Sequence, residues 1–378
     1  MRAQQKDRRD INPAFGSRKL KLGTFQTNLD SGCVMSDLDG RLEITWPNTV
    51  TLAQLADAMD FEAIVPVARW RGFGGATDPQ GPGFETYTWA AGIAGATRAS
   101  GVISTSHVVL NHPIIAAKQS TVIDHISNGR YTLNVVNGWN YPEMEMFGIA
   151  LLGHEDRYAC AEEWLGIVKR LWMEDERFDH EGKFYKIKGG YLQPKPIQHP
   201  YPAIMNAGSS ERGRHFACKH CDLVFTNIRT HDIATHIAHV EAYHRLAREE
   251  YGREVKVWTN ATVIQAETEA EARAFYNYYV NEKGDWEAAM TVIETMGAEI
   301  NQRDYPPERR KAMAEMMISG WGGFPLIGTK EQIVDGLARL SQAGFDGVLL
   351  SWPRYIEGMR EFHDVTYPLL KQAGLRGP

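Results

Sequence analysis

Eight short runs rich in β-branched residues alternate along this chain with longer segments of helical period, and that rhythm admits few architectures. The runs fall at residues 21–27, 63–70, 102–109, 131–138, 203–208, 222–227, 255–265 and 347–352. The clearest helix between them covers 157–172, where Tyr158, Trp164, Leu165, Val168, Leu171 and Trp172 recur at intervals of three, four and seven. Such spacing gathers them on one face, which must be buried. Strands joined through helices run parallel, and eight strand–helix units without a dinucleotide fingerprint fit a closed barrel better than an open sheet. The expected fold is therefore α/β, a single (β/α)8 TIM barrel. No linker or shift in composition divides the chain, so 19–378 reads as one barrel domain behind a flexible amino-terminal segment, 1–18.

Two stretches break the rhythm and are long enough to leave the barrel. Residues 178–196, with Gly189-Gly190 and several aromatics, read as a hairpin after helix four. Residues 284–324, after strand seven, carry Met290, Met296, Met313, Met316, Met317 and Gly320-Trp321-Gly322-Gly323, and read as helices ending in a mobile lid.

The 378 residues, 43% hydrophobic and 23% charged, are enough for a full core, and a net charge of −6 offers no general attraction to nucleic acid or anionic lipid. No stretch approaches the roughly 18 unbroken apolar residues of a membrane span, and the amino terminus has no apolar signal region, which points to the cytoplasm. Four cysteines, Cys33, Cys160, Cys218 and Cys221, suit a reducing compartment. Cys218 and Cys221 have CxxC spacing but no second pair to complete a zinc site, so no metal is expected and the two read as ordinary thiols on a helix. Phosphate-loop, dinucleotide, zinc-protease and nucleophile-elbow signatures are all missing.

In a barrel, chemistry sits at the carboxyl ends of the strands. Strand two ends in Arg69-Trp70-Arg71-Gly72-Phe73-Gly74-Gly75, where glycines admit a ligand to the backbone and arginines can meet an anion, or where a plain turn separates solvated arginines. Strand three closes on Ser104-Thr105-Ser106-His107, followed by Asn111-His112-Pro113. Taken singly, His107 and His112 read as ordinary core or surface residues. On strand four Asn134 points inward, where a buried amide needs a partner, either a ligand or neighbouring backbone. After strand five, Asn206-Ala207-Gly208-Ser209-Ser210 opens onto a helix whose free N–H groups make a phosphate seat, with Arg157 and Tyr158 in reach. Helix capping by Ser209 or Ser210 explains the same letters.

Several of these phrases occur together elsewhere. Arg71-Gly72-Phe73-Gly74-Gly75, Ile126-Ser127-Asn128-Gly129-Arg130, Asn134 to Trp139 followed by Pro142-Glu143, and Asn206-Ala207-Gly208-Ser209-Ser210 appear in this order, with Glu181-Gly182-Lys183-Phe184-Tyr185 and Gly328-Thr329. From about residue 19 to 362 the chain resembles the bacterial luciferase-like, two-component flavin monooxygenases, most of all their pyrimidine and sulfone monooxygenase branches.

The resemblance implies FMN, used as FMNH2 from a separate NAD(P)H:flavin reductase, with O2 as co-substrate and a small-molecule substrate. It also implies a homodimer or homotetramer. Ala68 and Arg69 would lie along the flavin, Asn134 and Glu143 at its ring or ribityl region, and Arg157, Tyr158, Ser209 and Ser210 at its phosphate. Thr105 and Asn134 would frame an oxygen pocket beside N5 and donate hydrogen bonds to a flavin peroxide. His107, Asn111, His112, Asn137 and Trp139 form the expected substrate pocket, and several depart from the pyrimidine pattern. The substrate then reads as a small N-heterocycle or amide-like compound. The alternatives are a sulfone or sulfonate oxidised through a C4a peroxide, with Arg229 and Arg354 as anion ligands, a deazaflavin-dependent dehydrogenase, and a non-catalytic flavin-binding protein, which would not need the Thr105–Asn134 pair.

Overall fold

Eight short parallel strands form a ring in the computed structural model, which describes residues 5–150, 152–228, 232–300 and 305–377. They are β1 (Lys21–Phe25), β2 (Ala63–Val65), β3 (Val102–His107), β4 (Tyr131–Val136), β5 (Ala203–Asn206), β6 (Leu223–Phe225), β7 (Lys256–Gln265) and β8 (Gly347–Ser351). Each pairs with the next, and β8 pairs back onto β1, so the barrel is closed. All eight sequence runs contain one of these strands. The second ends early because Pro66 has no N–H to continue the ladder.

Alternate side chains fill the interior, among them Phe25, Val65, Ile103, Met205, Phe225, Trp258 and Leu349. The fit is tight: a Cβ on Gly23 would stand 2.5 Å from the Ala63 carbonyl and 2.7 Å from Leu349. Outside run α1 (Trp46–Ala58), α2 (Thr86–Ala96), α3 (Pro113–Ile126), α4 (His154–Met173), α5 (Glu211–His220) and α6 (Ile233–Tyr251), followed by α7 (Glu269–Asn277), α8 (Trp286–Ile300), α9 (Pro307–Gly320), α10 (Lys330–Gln342) and α11 (Tyr355–Glu361). The face anticipated on α4 is buried at Tyr158, Trp164, Leu165, Val168, Leu171 and Trp172.

Three details differ from expectation. The amino-terminal segment is docked from Gln5 onward instead of flexible. Ala14 and Phe15 join the interior cluster from below, and the Asn12 amide donates to the Tyr131 carbonyl (2.8 Å), Thr132 Oγ1 and Gln198 Oε1. Arg8 makes a two-pronged pair with Asp222 at 2.8 and 2.7 Å. A barrel floor left open would wet the interior apolar layer, and this segment plugs it.

The second insertion is a packed unit with its own apolar core. Val292, Ile293 and Ile318 meet Val280 just before the insertion, Val34, Met35 and Leu38 from the loop after β1, and Phe73 from the loop after β2. Its glycine-rich tip is pinned by Asn227, whose amide donates to the Gly322 carbonyl at 3.2 Å. Residues 301–304 of this stretch lie outside the described residues. Third, Phe324–Gly328 forms a further strand paired with the carboxyl-terminal half of β7, which is not among the eight runs read from the sequence. The first insertion is the expected hairpin, Phe178–Glu181 against Lys186–Gly190.

The lower rim is held by a buried cluster. Glu62 accepts from the Leu22 N–H (2.9 Å), Arg18 (3.0 Å) and Arg376 (2.8 and 2.7 Å), and the Arg376 side chain has no exposure to solvent. Removing one partner of such a pair strands the other charge in a dry setting. Arg376→Ala should therefore lower the unfolding free energy by about 3 kcal/mol in urea titrations. A loss below about 0.5 kcal/mol, the scale of an ordinary surface substitution, would show that the pair is not needed.

Candidate active site

The upper rim, where β2, β3 and β4 end, carries polar groups that the fold leaves unsatisfied. Strand periodicity turns Thr105 and His107 of β3 and Asn134 of β4 toward the axis, and the register sets Thr105 beside Asn134. Thr105 Oγ1 donates to the Pro66 carbonyl at 2.6 Å and accepts from Asn134 Nδ2 at 3.0 Å. Thr86 Oγ1 donates to the Thr105 carbonyl at 2.6 Å, fixing the strand at this point. The threonine proton is thus already given to Pro66, which corrects the expectation that this hydroxyl donates to a ligand. Asn134 Oδ1 is buried and has no partner among the described residues. A buried amide oxygen without a donor costs free energy that a ligand can return.

Arg69, in the turn after β2, is buried. Its Nε donates to Gln80 (3.0 Å) and its Nη1 to Glu143 (3.3 Å), and its guanidinium lies 4.8, 5.4 and 5.7 Å from the ring centres of Phe73, Trp139 and Trp321. Phe73 and Trp139 stack within 7° of parallel. Desolvation lowers the Arg69 pKa, and the Glu143 carboxylate opposes that shift. Glu143, in the first turn of the short helix Tyr141–Met146, uses Oε1 to accept also from the Trp70 and Arg71 N–H groups at 2.7 and 3.3 Å. Its Oε2 is buried without a partner among the described residues. The loop carrying Arg69 is tied to α8 by Asp285, which accepts from the Thr77 N–H (2.7 Å) and hydroxyl (2.8 Å).

His107 is buried, and desolvation pushes its pKa down to about 4, against the pull of the Glu143 carboxylate and with a further push from Arg69. The imidazole is therefore neutral at pH 7, and Nδ1 is unpartnered among the described residues. A cleft opens beside it, lined by Ala68, Arg69, Trp70, Phe84, Glu85, Thr86, Thr105, His107 and Asn111. Asn111 bonds the His107 carbonyl at 3.0 Å, and half-buried Asn137 leaves both its amide atoms without partners among the described residues. Trp139 joins through its stack on Phe73. His112 does not join the cleft: it is exposed, caps α3 by accepting from the Ile114 N–H, and packs its ring against Tyr185. A helix that begins with proline needs a cap just before it, and the side chain is committed there.

A second set of groups converges where α4 and α5 begin. Ser210 caps α5 by accepting from the Gly213 N–H at 3.0 Å, and its hydroxyl is 3.5 Å from Tyr158 and 3.3 Å from His154 Nε2. Arg157 Nη1 donates to the Gly138 carbonyl at 2.6 Å, and Ser209 stays exposed. Only glycine fits at 213, because a Cβ there would stand 2.5 Å from the Tyr158 hydroxyl and 2.9 Å from Gly208 Cα. Tyr158 and Ser210, 52 residues apart, therefore share one small seat, and Arg157 precedes Tyr158 on α4 with its guanidinium on the Gly138 carbonyl. The sequence reading missed His154, Gln80, Pro66 and Trp321. His154, the first residue of α4 and next to Glu155 and Asp156, carries no pattern that would have flagged it.

The two sets suit a planar heterocycle at the rim and a phosphate at the seat, so FMN fits the residues present. Of the two arginines that a sulfonate would use, Arg354 donates to the Asp39 carbonyl (3.1 Å) and covers Phe275, and Arg229 lies outside the described residues. Cys218 and Cys221 are buried free thiols, and burial pushes the Cys218 pKa up to about 11. Among the described residues no group of three or more His, Cys, Asp or Glu is arranged for a metal ion, and no helix is long and apolar enough to cross a membrane.

Comparison with known proteins agrees with this geometry. A family model described as luciferase-like monooxygenase matches residues 29–347. An FMNH2-dependent dimethylsulfone monooxygenase from Pseudomonas putida is 31% identical over 363 residues, covering 94% of this chain and 96% of that protein. A pyrimidine monooxygenase from Acinetobacter baylyi is 27% identical over 355 residues, covering 93% and 95%. In fold, the chain matches the crystal structure of a riboflavin lyase bound to modified FMN and riboflavin, with a TM-score of 0.83 at 21% identity over 94% of this chain and 92% of that one.

The neutral His107 has a measurable consequence. Between its ordinary pKa of 6.5 and the buried value of about 4, the unfolded chain takes up a proton that the folded one refuses. Stability should fall as pH drops through that window, by up to about 3 kcal/mol. His107→Gln removes this contribution, so its urea-unfolding free energy should decline less between pH 7 and pH 4.5 than that of the unsubstituted protein. Equal declines in the two proteins would mean that the imidazole is not held neutral.

Proposed function

We propose a function from one premise: this chain belongs to the luciferase-like monooxygenase family. It is an oxidoreductase that uses FMNH2 and O2 to oxygenate a small N-heterocyclic or amide-like substrate, with a separate NAD(P)H:flavin reductase supplying the reduced cofactor. The observation that carries the substrate class is the neutral His107 beside the cleft, whose Nδ1 has no partner among the described residues.

Arg157, Tyr158, Ser209 and Ser210 hold the phosphate, where the α5 amino terminus adds its partial positive charge. Ala68 and Arg69 run along the ring system, and Glu143 fixes Arg69 while offering its free oxygen to the ligand. When bound, reduced FMN supplies two electrons to O2, so that one oxygen atom enters the substrate and the other leaves as water. We assign that chemistry to the N5 edge, next to Thr105 and Asn134. These residues exclude bulk water and hold their dipoles fixed before reaction, which is where such groups contribute most.

His107, Asn111, Asn137 and Trp139 face the substrate. A neutral imidazole nitrogen and the Asn137 amide, neither end of which has a partner among the described residues, match a molecule that displays N–H and C=O together. A sulfonate gains little here, because Arg69 is already committed to Gln80 and Glu143. A sulfone keeps one support, the 31% identity to the dimethylsulfone enzyme over nearly the whole chain. Its oxygens only accept hydrogen bonds, so it offers no donor to a neutral imidazole nitrogen of His107 or to the Asn137 amide oxygen.

The test supplies FMNH2 from a reductase under 18O2 and offers uracil, a cyclic amide and dimethylsulfone in turn. A product carrying one 18O atom is expected from an N–H-bearing substrate, and His107→Leu should lower kcat/KM by about tenfold or more. Turnover of dimethylsulfone alone would replace the substrate class. FMNH2 that oxidises at saturating protein as it does in free solution would remove the monooxygenase reading.

A further inference from the structure

Resting on the reading that the cleft beside His107 takes an amide-like substrate, we propose that two aromatic pairs at its mouth set specificity. They hold a neutral alkyl or aryl substituent that the substrate carries out of the polar cleft. Each pair has an inner member in the cleft wall and an outer member beyond it. Trp70, after β2, meets Phe147 edge to face at 5.2 Å and 80°. Phe84, just before α2, meets Trp46, the first residue of α1, at 5.9 Å and 79°. Trp70, Phe147 and Trp46 are 42%, 45% and 43% exposed, and Met146, next to Phe147 in the chain, is 57% exposed. One exposed ring is ordinary, but several large apolar side chains continuous with the wall of a cleft mark a surface that is covered in use.

The order of polar and apolar groups along the cleft says what covers them. Thr105 and His107 are buried, so a head group that displays N–H and C=O goes inward. Anything attached to its far side is led out past Trp70 and Phe84. There it meets aromatic rings, and two polar groups of this wall are already spent. The Trp70 N–H is given to Glu143 (2.7 Å), and the Glu85 carboxylate accepts from the Tyr87 and Thr88 N–H groups (2.9 and 2.8 Å). An apolar substituent gains here by leaving water, whereas an anionic one would face Glu85. A second copy of the chain seated on these rings would close the cleft that they border, which argues against it as the occupant. Trp70, Phe84, Phe147 and Trp46 are thus specificity residues and not catalytic ones.

The experiment measures dissociation constants by calorimetry for uracil and for its 5- and 6-alkyl derivatives from methyl to butyl. Reduced FMN is bound and oxygen excluded, so there is no turnover. In the better of the two series affinity should rise about twofold per methylene, roughly half the free energy of full burial. Phe147→Ala and Trp70→Ala should each flatten the series, and an ω-carboxyalkyl derivative should lose the gain. If Trp70→Ala does not fold by circular dichroism, Phe147→Ala decides, because its ring lies outside the cleft wall. Alkyl derivatives that bind no better than uracil, or an increment unchanged in folded Phe147→Ala protein, overturn the inference and leave the reading of the cleft standing. Dimers of the unsubstituted protein that Phe147→Glu separates in sedimentation overturn it too, since the patch would then be an interface between copies. Failure of uracil and of every derivative to bind overturns the inference and the amide-like substrate class together.

Discussion

A guanidinium kept from water holds the mouth of this barrel together. Arg69 sits where three excursions meet: Phe73 follows β2, Trp139 and Glu143 follow β4, and Trp321 ends α9. Burying an arginine costs several kcal/mol unless its partners are well placed, and an ion pair alone does little better than break even. Here the pair with Glu143 is supplemented by Gln80 and by three aromatic faces that attract the charge. No single loop supplies enough to keep Arg69 buried, so each is held in place by the others. The same arrangement commits one Glu143 oxygen and leaves the second facing the site.

The two ends of the barrel then differ in a way that separates stability from function. At the lower rim Glu62, Asp222 and Asn12 each find several donors or acceptors, and the chain termini supply many of them through Arg8, Asn12 and Arg376. At the upper rim Asn134, His107 and Glu143 keep buried atoms without partners among the described residues. Buried atoms without partners among the described residues also occur elsewhere, at Ser100, Arg253 Nε and Arg376 Nε for example, so what is informative at the upper rim is that those of Asn134, His107 and Glu143 lie on neighbouring strand ends and loops.

That division also explains how much could be read from the sequence. Strands and the α4 face were legible because their signals are local and periodic. The capping of α5 by Ser210 was legible because a small-residue turn before a helix has a recognisable chemistry. Long-range partners carry no such local mark. The docking of residues 5–15 and the strand Phe324–Gly328 each depend on what lies across the fold. The proton of Thr105 is the sharpest case. Type and position suggested a donor, but a carbonyl 39 residues earlier in the chain makes it an acceptor toward Asn134.

What distinguishes this chain from its relatives therefore belongs on a rigid floor beneath an adjustable wall. Thr105 and Asn134 are fixed by strand register and by Pro66 and Thr86, so the edge they present cannot adapt to a new substrate. The wall is different: His107 projects from the last residue of β3, Asn137 lies beyond the end of β4, and Trp321 belongs to an insertion with a separate apolar core. Asp285 clamps that insertion to the Arg69 loop through Thr77, so a change in its packing reaches the cleft through the buried guanidinium. With Arg69 already neutralised by Glu143 and His107 uncharged near pH 7, the wall offers dipoles instead of net charge. Dipoles discriminate by the order of donors and acceptors along a ligand, and this is the property in which cyclic amides, N-heterocycles and sulfones differ most.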